Sequence, residues 1–90
     1  MSTTDFSMEE FISDASHKMP PMKVIVTDKD GKYIKQYLTP AGFQLERYVA
    51  EMYQNHILQI SFPNGKFEVK IYNELKQFIG THLGVYQKAT

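Results

Sequence analysis

The sequence predicts an α+β fold with two layers, in which three helices cover one face of a four-stranded antiparallel sheet. Apolar and polar residues alternate in four segments, which is typical of strands with one buried face. Segments with apolar residues at helical spacing precede and follow each pair of these strands. The predicted element order is therefore α-ββα-ββα, and the four strands form two hairpins that share one sheet.

The first helix is predicted over residues 7–18. Ser7 and Glu10 have the spacing of a capping box, in which each side chain accepts the backbone N–H of the other residue. Pro20 ends the helix, because its ring has no N–H and clashes with the preceding turn.

The first ββα unit is predicted over residues 22–55. Its two strands flank the loop Lys29-Asp30-Gly31, in which Gly31 takes a left-handed bulge conformation. The helix of this unit has Thr39 as its N-cap and Pro40 at its first position, where a missing N–H costs nothing. It is predicted to continue to about residue 55.

Two registers are open for the first hairpin. The three-residue loop pairs Val26 with Ile34, and it leaves Tyr33, Lys35 and Tyr37 on the opposite face. The alternative register puts both tyrosines on the inner face, with Lys35 between them. We favour the first register because burying an unpaired lysine is costly.

The second ββα unit is predicted over residues 56–84, and its Asn64-Gly65 is the strongest short-range signal of a hairpin turn. On the inner face this turn pairs apolar residues: Phe62 with Phe67, Ile60 with Val69, and Leu58 with Ile71. On the outer face it pairs Ser61 with Glu68, Gln59 with Lys70, and Ile57 with Tyr72. The third helix is predicted to begin at Asn73 and to end near Gly84.

The two ββα units carry a weak internal repeat. Gly31-Lys32-Tyr33 matches Gly65-Lys66-Phe67 at an offset of 34 residues, whereas the helices match at an offset of 30. Chance also produces such matches between amphipathic segments, so a ββα duplication is left open. All elements are expected to form one domain over residues 1–90, with residues 85–90 as a tail.

The predicted element order is similar to that of the LAGLIDADG-type homing endonucleases. The defining helix of that family carries small residues and ends at an acidic metal ligand. Residues 11–18 read Phe-Ile-Ser-Asp-Ala-Ser-His-Lys instead. The resemblance is therefore limited to the order of elements and implies no site residue in this chain.

The composition excludes several classes of function. The chain has 10 basic and 10 acidic residues, and this balance argues against a strongly basic protein that grips phosphates. It has no cysteine, so a disulfide framework, a thiolate metal site and a thiol nucleophile are excluded. No apolar run reaches the ~18 residues of a membrane span, and the first residues lack a secretory signal. We therefore expect a cytoplasmic protein without a membrane partner.

The sequence has no pattern typical of an enzyme, a metal site or a cofactor site. Its histidines lack the i, i+4 spacing of a helical metal site, and neither a Gly-x-Ser-x-Gly elbow nor a glycine-rich phosphate loop occurs. His82 falls on the apolar stripe of the predicted last helix, where a partly buried histidine is expected. We therefore predict a non-enzymatic protein with no metal and no cofactor.

A binding surface is predicted on the sheet face opposite the helices, which this fold leaves open. The partner-binding residues expected there are Tyr33, Lys35, Tyr37, Ile57, Lys70 and Tyr72. Exposed apolar surface rich in tyrosine is typical of protein interfaces, so we expect an adaptor or an inhibitor of a larger protein. A homodimer is also expected, because a 90-residue domain gains stability by covering such a face. The alternative is a nucleic-acid-binding regulator, in which the tyrosines stack on bases and the lysines contact phosphates.

Overall fold

A computed structural model of the chain describes residues 11–12 and 19–87. Its elements in chain order are β1 (Met22–Asp28), β2 (Tyr33–Thr39), α1 (Leu45–Met52), β3 (Ile57–Ser61), β4 (Phe67–Tyr72) and β5 (Phe78–Tyr86). A 3-10 turn, Pro63–Gly65, connects β3 to β4. Within the described residues the fold is thus a five-stranded antiparallel sheet with one α-helix, so the predicted four-stranded sheet with three helices is wrong. The similarity in element order to the homing endonucleases is lost with it.

The five strands lie in the order β2-β1-β5-β4-β3. β1 and β2 form one hairpin, while β3, β4 and β5 form a meander that ends beside β1. The connection that contains α1 joins β2 to β3, the two edge strands, and therefore crosses one face of the sheet. The opposite face has no covering element among the described residues.

β5 replaces the third predicted helix, and the chain turns back at Asn73. The side-chain oxygen of Asn73 accepts the backbone N–H groups of Leu75 and Gln77 at 2.9 and 3.0 Å. The Asn73 N–H also donates to the Gln77 carbonyl, and Lys76 has a positive φ of 65°, so the loop closes a hairpin. An asparagine at a helix N-cap accepts N–H groups just ahead of it in the same way, which is why the sequence resembles a helix start.

Residues 78–86 form a central strand because two glycines lie where the strand packs closest to other atoms. A Cβ atom at Gly80 would lie 2.5 Å from the Thr27 carbonyl oxygen, and one at Gly84 would lie 2.6 Å from Met22 Sδ. In a helix, each glycine would cost about 1 kcal/mol relative to alanine. The helical half of the suggested internal repeat is therefore absent from this part of the chain.

α1 is shorter than the helix predicted from Thr39 to about residue 55. Thr39 is the last residue of β2, and its hydroxyl oxygen accepts the Met22 N–H at 3.0 Å. A turn in which the Phe43 N–H donates to the Pro40 carbonyl then separates β2 from α1. The Thr-Pro pair thus ends a strand rather than beginning a helix.

The helix predicted over residues 7–18 lies outside the described residues, apart from Phe11 and Ile12. Ile12 forms an isolated antiparallel bridge with Phe43. Phe11 is buried in the core, and its ring lies 6.0 Å from that of Phe43. The predicted tail, residues 85–90, begins inside β5, and its last three residues are outside the described part.

The predicted register of the second hairpin is confirmed for five of its six pairs, because the ladder ends before Phe62 and Phe67. The observed pairs are Ile57–Tyr72, Leu58–Ile71, Gln59–Lys70, Ile60–Val69 and Ser61–Glu68. Asn64 (φ 52°, ψ 35°) and Gly65 (φ 77°) both have positive φ, as a type I′ turn requires. The Lys66 N–H donates to the Pro63 carbonyl at 2.9 Å and closes the turn.

The predicted register of the first hairpin is wrong by one residue beyond the turn. The turn itself is as predicted: Gly31 has a φ of 80°, and the Asp28 carboxylate accepts two loop N–H groups at 2.9 Å. A bulge then inserts Ile34 into β2, so Val26 lies opposite Lys35 instead. Because β2 is an edge strand, Lys35 stays exposed on the inner face, and the burial cost that favoured the predicted register does not arise.

The core lies between α1 and one side of the sheet, which we call the helix face. The buried side chains are Phe11, Met22, Val24, Val26, Thr39, Phe43, Leu45, Tyr48, Val49, Val69, Ile71 and His82. Those in β1, β4 and β5 occur at alternate positions, so a single face of the sheet carries them.

Candidate interaction surface

The open face is the side of the sheet opposite α1. Strand alternation and register place these residues on it: Lys23, Ile25, Thr27, Tyr33, Gln36, Leu38, Ile57, Gln59, Ser61, Glu68, Lys70, Tyr72, Phe78, Thr81, Leu83 and Val85. None of them is fully buried, and no described element lies over them. Over the described part of the chain, the open face is therefore an uncovered surface five strands wide.

The structure divides the six residues predicted to bind a partner between the two faces. Four of them lie on the open face: Tyr33, Ile57, Lys70 and Tyr72. The register of β2 places the other two, Lys35 and Tyr37, on the helix face. The ring of Tyr37 packs there against that of Tyr48, with a centroid distance of 5.7 Å. The bulge at Ile34 keeps Tyr33 on the open face despite this shift.

One end of the open face is apolar. Ile25 of β1 lies opposite Leu83 of β5, and in the next row Leu38 and Val85 lie on either side of Lys23. We call Ile25, Leu38, Leu83 and Val85 the aliphatic patch. Leu38 is 67% exposed at the sheet edge, and the other three are half-buried.

Sequence reasoning missed the contribution of β5 to this patch. It places Leu83 in a helix and Val85 in a tail, and so omits both residues from the face. The signal that would have found them is the alternation of Ile79, Thr81, Leu83 and Val85, in which β-branched residues predominate.

The opposite end of the open face is aromatic. The rings of Tyr72 and Phe78 lie 5.5 Å apart, and Ile57 lies opposite Tyr72 on the neighbouring strand. The Tyr72 hydroxyl donates to Gln59 Oε1 at 3.0 Å, so the tyrosine ring lies along the face toward β3. We call Ile57, Tyr72 and Phe78 the aromatic patch.

The open face carries two positive charges and one negative charge. Its cations are Lys23 and Lys70, and its anion is Glu68. The Glu68 carboxylate accepts the Ser61 hydroxyl at 2.9 Å and lies 4.0 Å from Lys70 Nζ. The face therefore presents an aliphatic patch with Lys23 inside it, an aromatic patch, and a polar band between the two patches, and it has no row of cations.

The helix face holds a buried polar pair, Tyr37 and His82. The Tyr37 hydroxyl lies 3.0 Å from His82 Nδ1, while Nε2 has no hydrogen-bond partner among the described residues. Burial lowers the pKa of His82 to about 4, and the positive charge of Lys35 adds to the shift. Burial also raises the pKa of Tyr37, so both groups are neutral at pH 7. Because His82 is 1% exposed, its imidazole has almost no contact with solvent.

Among residues 11–12 and 19–87, no group of three or more His, Asp or Glu side chains could hold a metal ion. Over the same residues, no helix has both the length and the apolar character needed to cross a membrane. No protein-family model, no curated protein and no solved structure matches the chain. Its function is therefore inferred from the geometry of the open face.

Proposed function

We propose that this chain is a small non-enzymatic protein-binding module, an adaptor or an inhibitor of a larger protein, which acts in the cytoplasm. The observation that carries the proposal is the aliphatic patch, because it lies on a sheet face that no described element covers. Contact with a partner would remove these side chains from water, at about 25 cal/mol for each Å² of apolar surface. Contiguous patches of this kind mark interaction sites on small proteins.

The two patches set the chemistry of the partner. Between the two patches, a row of polar side chains crosses the sheet and consists of Thr27, Thr81, Lys70 and Gln59. Apolar groups and tyrosines beside polar groups are the usual composition of a protein interface. We therefore expect a partner surface with apolar side chains that match the patches and hydrogen-bonding groups that match the polar row.

The charges favour a protein over a nucleic acid as the partner. Sheet proteins that bind single-stranded nucleic acid combine exposed aromatic rings with a cationic groove. Of the lysines expected to contact phosphates, Lys35 lies on the helix face and Lys70 lies 4.0 Å from Glu68 Oε1. The face therefore has few cations near its aromatic residues.

Two variants of exposed residues on the open face test the proposal. Leu38→Ser and Tyr33→Ser remove side chains that are 67% and 62% exposed, so neither change disturbs the core. Leu75→Ser is the matched control, because Leu75 is 78% exposed in the loop between β4 and β5, off the open face. A partner captured by the wild-type protein is purified, and its affinity is measured for each variant.

We expect each open-face variant to weaken binding of that partner at least tenfold, which is about 1.4 kcal/mol, and the control to bind like the wild type. Equal affinity of the wild-type protein and both open-face variants contradicts the proposal. Binding to a single-stranded DNA oligonucleotide that weakens steeply with salt supports the nucleic-acid alternative instead.

A further inference from the structure

The two edges of the sheet differ in how well they resist pairing with another strand. On the edge strand β2, Lys35 lies on the helix face and Ile34 forms a bulge, and both features hinder strand addition. β3, Ile57–Ser61, has no charged residue, and its ladder with β4 has no bulge. Within the described sheet, β3 is therefore the edge without such protection.

The backbone of this edge has hydrogen-bonding groups that point away from the sheet. The Lys66 N–H donates to the Pro63 carbonyl, so these two residues form the first hydrogen-bonded pair of the hairpin. Bonded and non-bonded pairs alternate along an antiparallel ladder. Leu58 and Ile60 therefore direct their N–H and C=O groups outward, and Phe62, just beyond the end of β3, directs its N–H outward. No described segment pairs with these groups.

We propose that β3 pairs with β3 of a second copy of this chain, antiparallel, about a two-fold axis at Ile60. In this register Ile60 lies opposite Ile60 of the second copy, Leu58 lies opposite Phe62, and Gln59 lies opposite Ser61. The N–H and C=O groups of Ile60 pair with those of Ile60 in the second copy, and each Phe62 N–H meets the Leu58 carbonyl of the other copy, which gives about four backbone hydrogen bonds between the copies.

The side chains of β3 fit this pairing with itself. On the helix face the new cross-strand pairs are apolar, and they cover Phe62, which is 61% exposed in the single chain. On the open face the amide of Gln59 meets the hydroxyl of Ser61. No like charges lie opposite each other in the new ladder, because residues 57–62 carry no charge.

The same axis would widen the open face rather than cover it. Side chains at position 60 of both copies lie on the same side, so the axis is perpendicular to the sheet. The two helices then lie on one side of a continuous sheet of ten strands, and the two open faces lie together on the other. The dimer does not depend on the proposed function, and only this consequence for binding rests on it.

Sedimentation equilibrium at several protein concentrations measures self-association of the wild-type chain and three variants. Ile60→Lys and Ile60→Glu each place like charges opposite one another at the axis, and the lysine gives β3 the kind of protection that Lys35 gives β2. Leu38→Lys is the matched control, because it adds the same charge on the other edge strand and on the open face. Thermal unfolding of each variant tests whether it is folded.

We expect the wild-type chain and Leu38→Lys to dimerise equally, and each variant of Ile60 to raise the dissociation constant at least tenfold, about 1.4 kcal/mol. An equal mixture of Ile60→Lys and Ile60→Glu should restore the dimer as a heterodimer, because the axis places opposite charges face to face. A monomeric wild-type chain overturns the proposal. A dimer that Leu38→Lys abolishes and Ile60→Lys retains also overturns it and assigns the dimer to the open face or to β2.

Amide hydrogen exchange of the wild-type chain gives a second readout that does not depend on a variant. The amides of Ile60 and Phe62 should exchange more slowly at high protein concentration than at low concentration, whereas the outward amides of β2 should not change. Exchange at β3 that stays constant while the protein becomes dimeric overturns the proposed interface.

Discussion

Mild acid should destabilise this protein through His82, which is 1% exposed between β1 and β4. The Tyr37 hydroxyl lies 3.0 Å from Nδ1, and Nε2 has no hydrogen-bond partner in the described part of the chain. Protonation would therefore bury a cation with little compensation, close to the positive charge of Lys35. For these reasons the pKa of His82 is lowered from its usual 6.5 to about 4.

The sign of the pH dependence follows from this lowered pKa. Above pH 6.5 His82 is neutral in the folded and in the unfolded protein, so its titration does not affect stability. Between pH 6.5 and about pH 4 the unfolded protein binds a proton that the folded protein does not. As the pH decreases through this window, the free energy of unfolding should fall by about 1.4 kcal/mol per pH unit, about 3 kcal/mol in total.

Urea unfolding at a series of pH values within this window measures the slope. The double variant His82→Leu/Tyr37→Phe removes the proton site together with its hydroxyl partner, so it leaves neither group alone in the core. Carboxyl groups contribute alike to both proteins, and the slope of the variant should therefore be shallower than that of the wild type by about 1.4 kcal/mol per pH unit. Parallel slopes for the two proteins would refute the burial argument.

Two further predictions concern β5 and the loop before it. Gly80→Ala should lower the free energy of unfolding by about 3 kcal/mol and Gly84→Ala by only about 1 kcal/mol. The reason is that the new Cβ at Gly80 meets a backbone oxygen of Thr27, whereas at Gly84 it meets the flexible side chain of Met22. Equal losses in urea unfolding would contradict the close approach at Gly80. Asn73→Ala should lower the free energy of unfolding by about 1–2 kcal/mol, because two loop N–H groups lose their acceptor. Asn73→Asp keeps the acceptor and should cost far less. Similar losses for both variants would exclude this role of Asn73.

The second hairpin could be predicted pair by pair because everything that specifies it lies within one short segment. Asn64-Gly65 supplies the positive φ values of a type I′ turn, and a register slip would move Glu68 and Lys70 to the inner face. The turn and the alternation are independent signals that agree. Ile57, Lys70 and Tyr72 were therefore placed correctly on the outer face from sequence alone.

The first hairpin shows where such local reasoning stops. Its turn was predictable, but a bulge at Ile34 shifts the rest of β2 by one residue and exchanges Lys35 and Tyr37 with their neighbours. On the helix face, Tyr37 packs on Tyr48 of α1 and forms a hydrogen bond with His82 of β5, and these contacts stabilise its position. Neither partner lies in the hairpin itself.

The amino-acid pattern alone was enough to predict strands with one apolar face, the register of the second hairpin, and the position of Tyr33 and Tyr72 on the face opposite the core. It could not establish β5, because residues 73–86 satisfy the spacing of a helix as well as that of a strand, and Asn73 can begin either one. What decides between them is the gap between β1 and β4, where only a strand with glycine at positions 80 and 84 fits. That gap is formed by residues distant in sequence, and a local pattern carries no information about it.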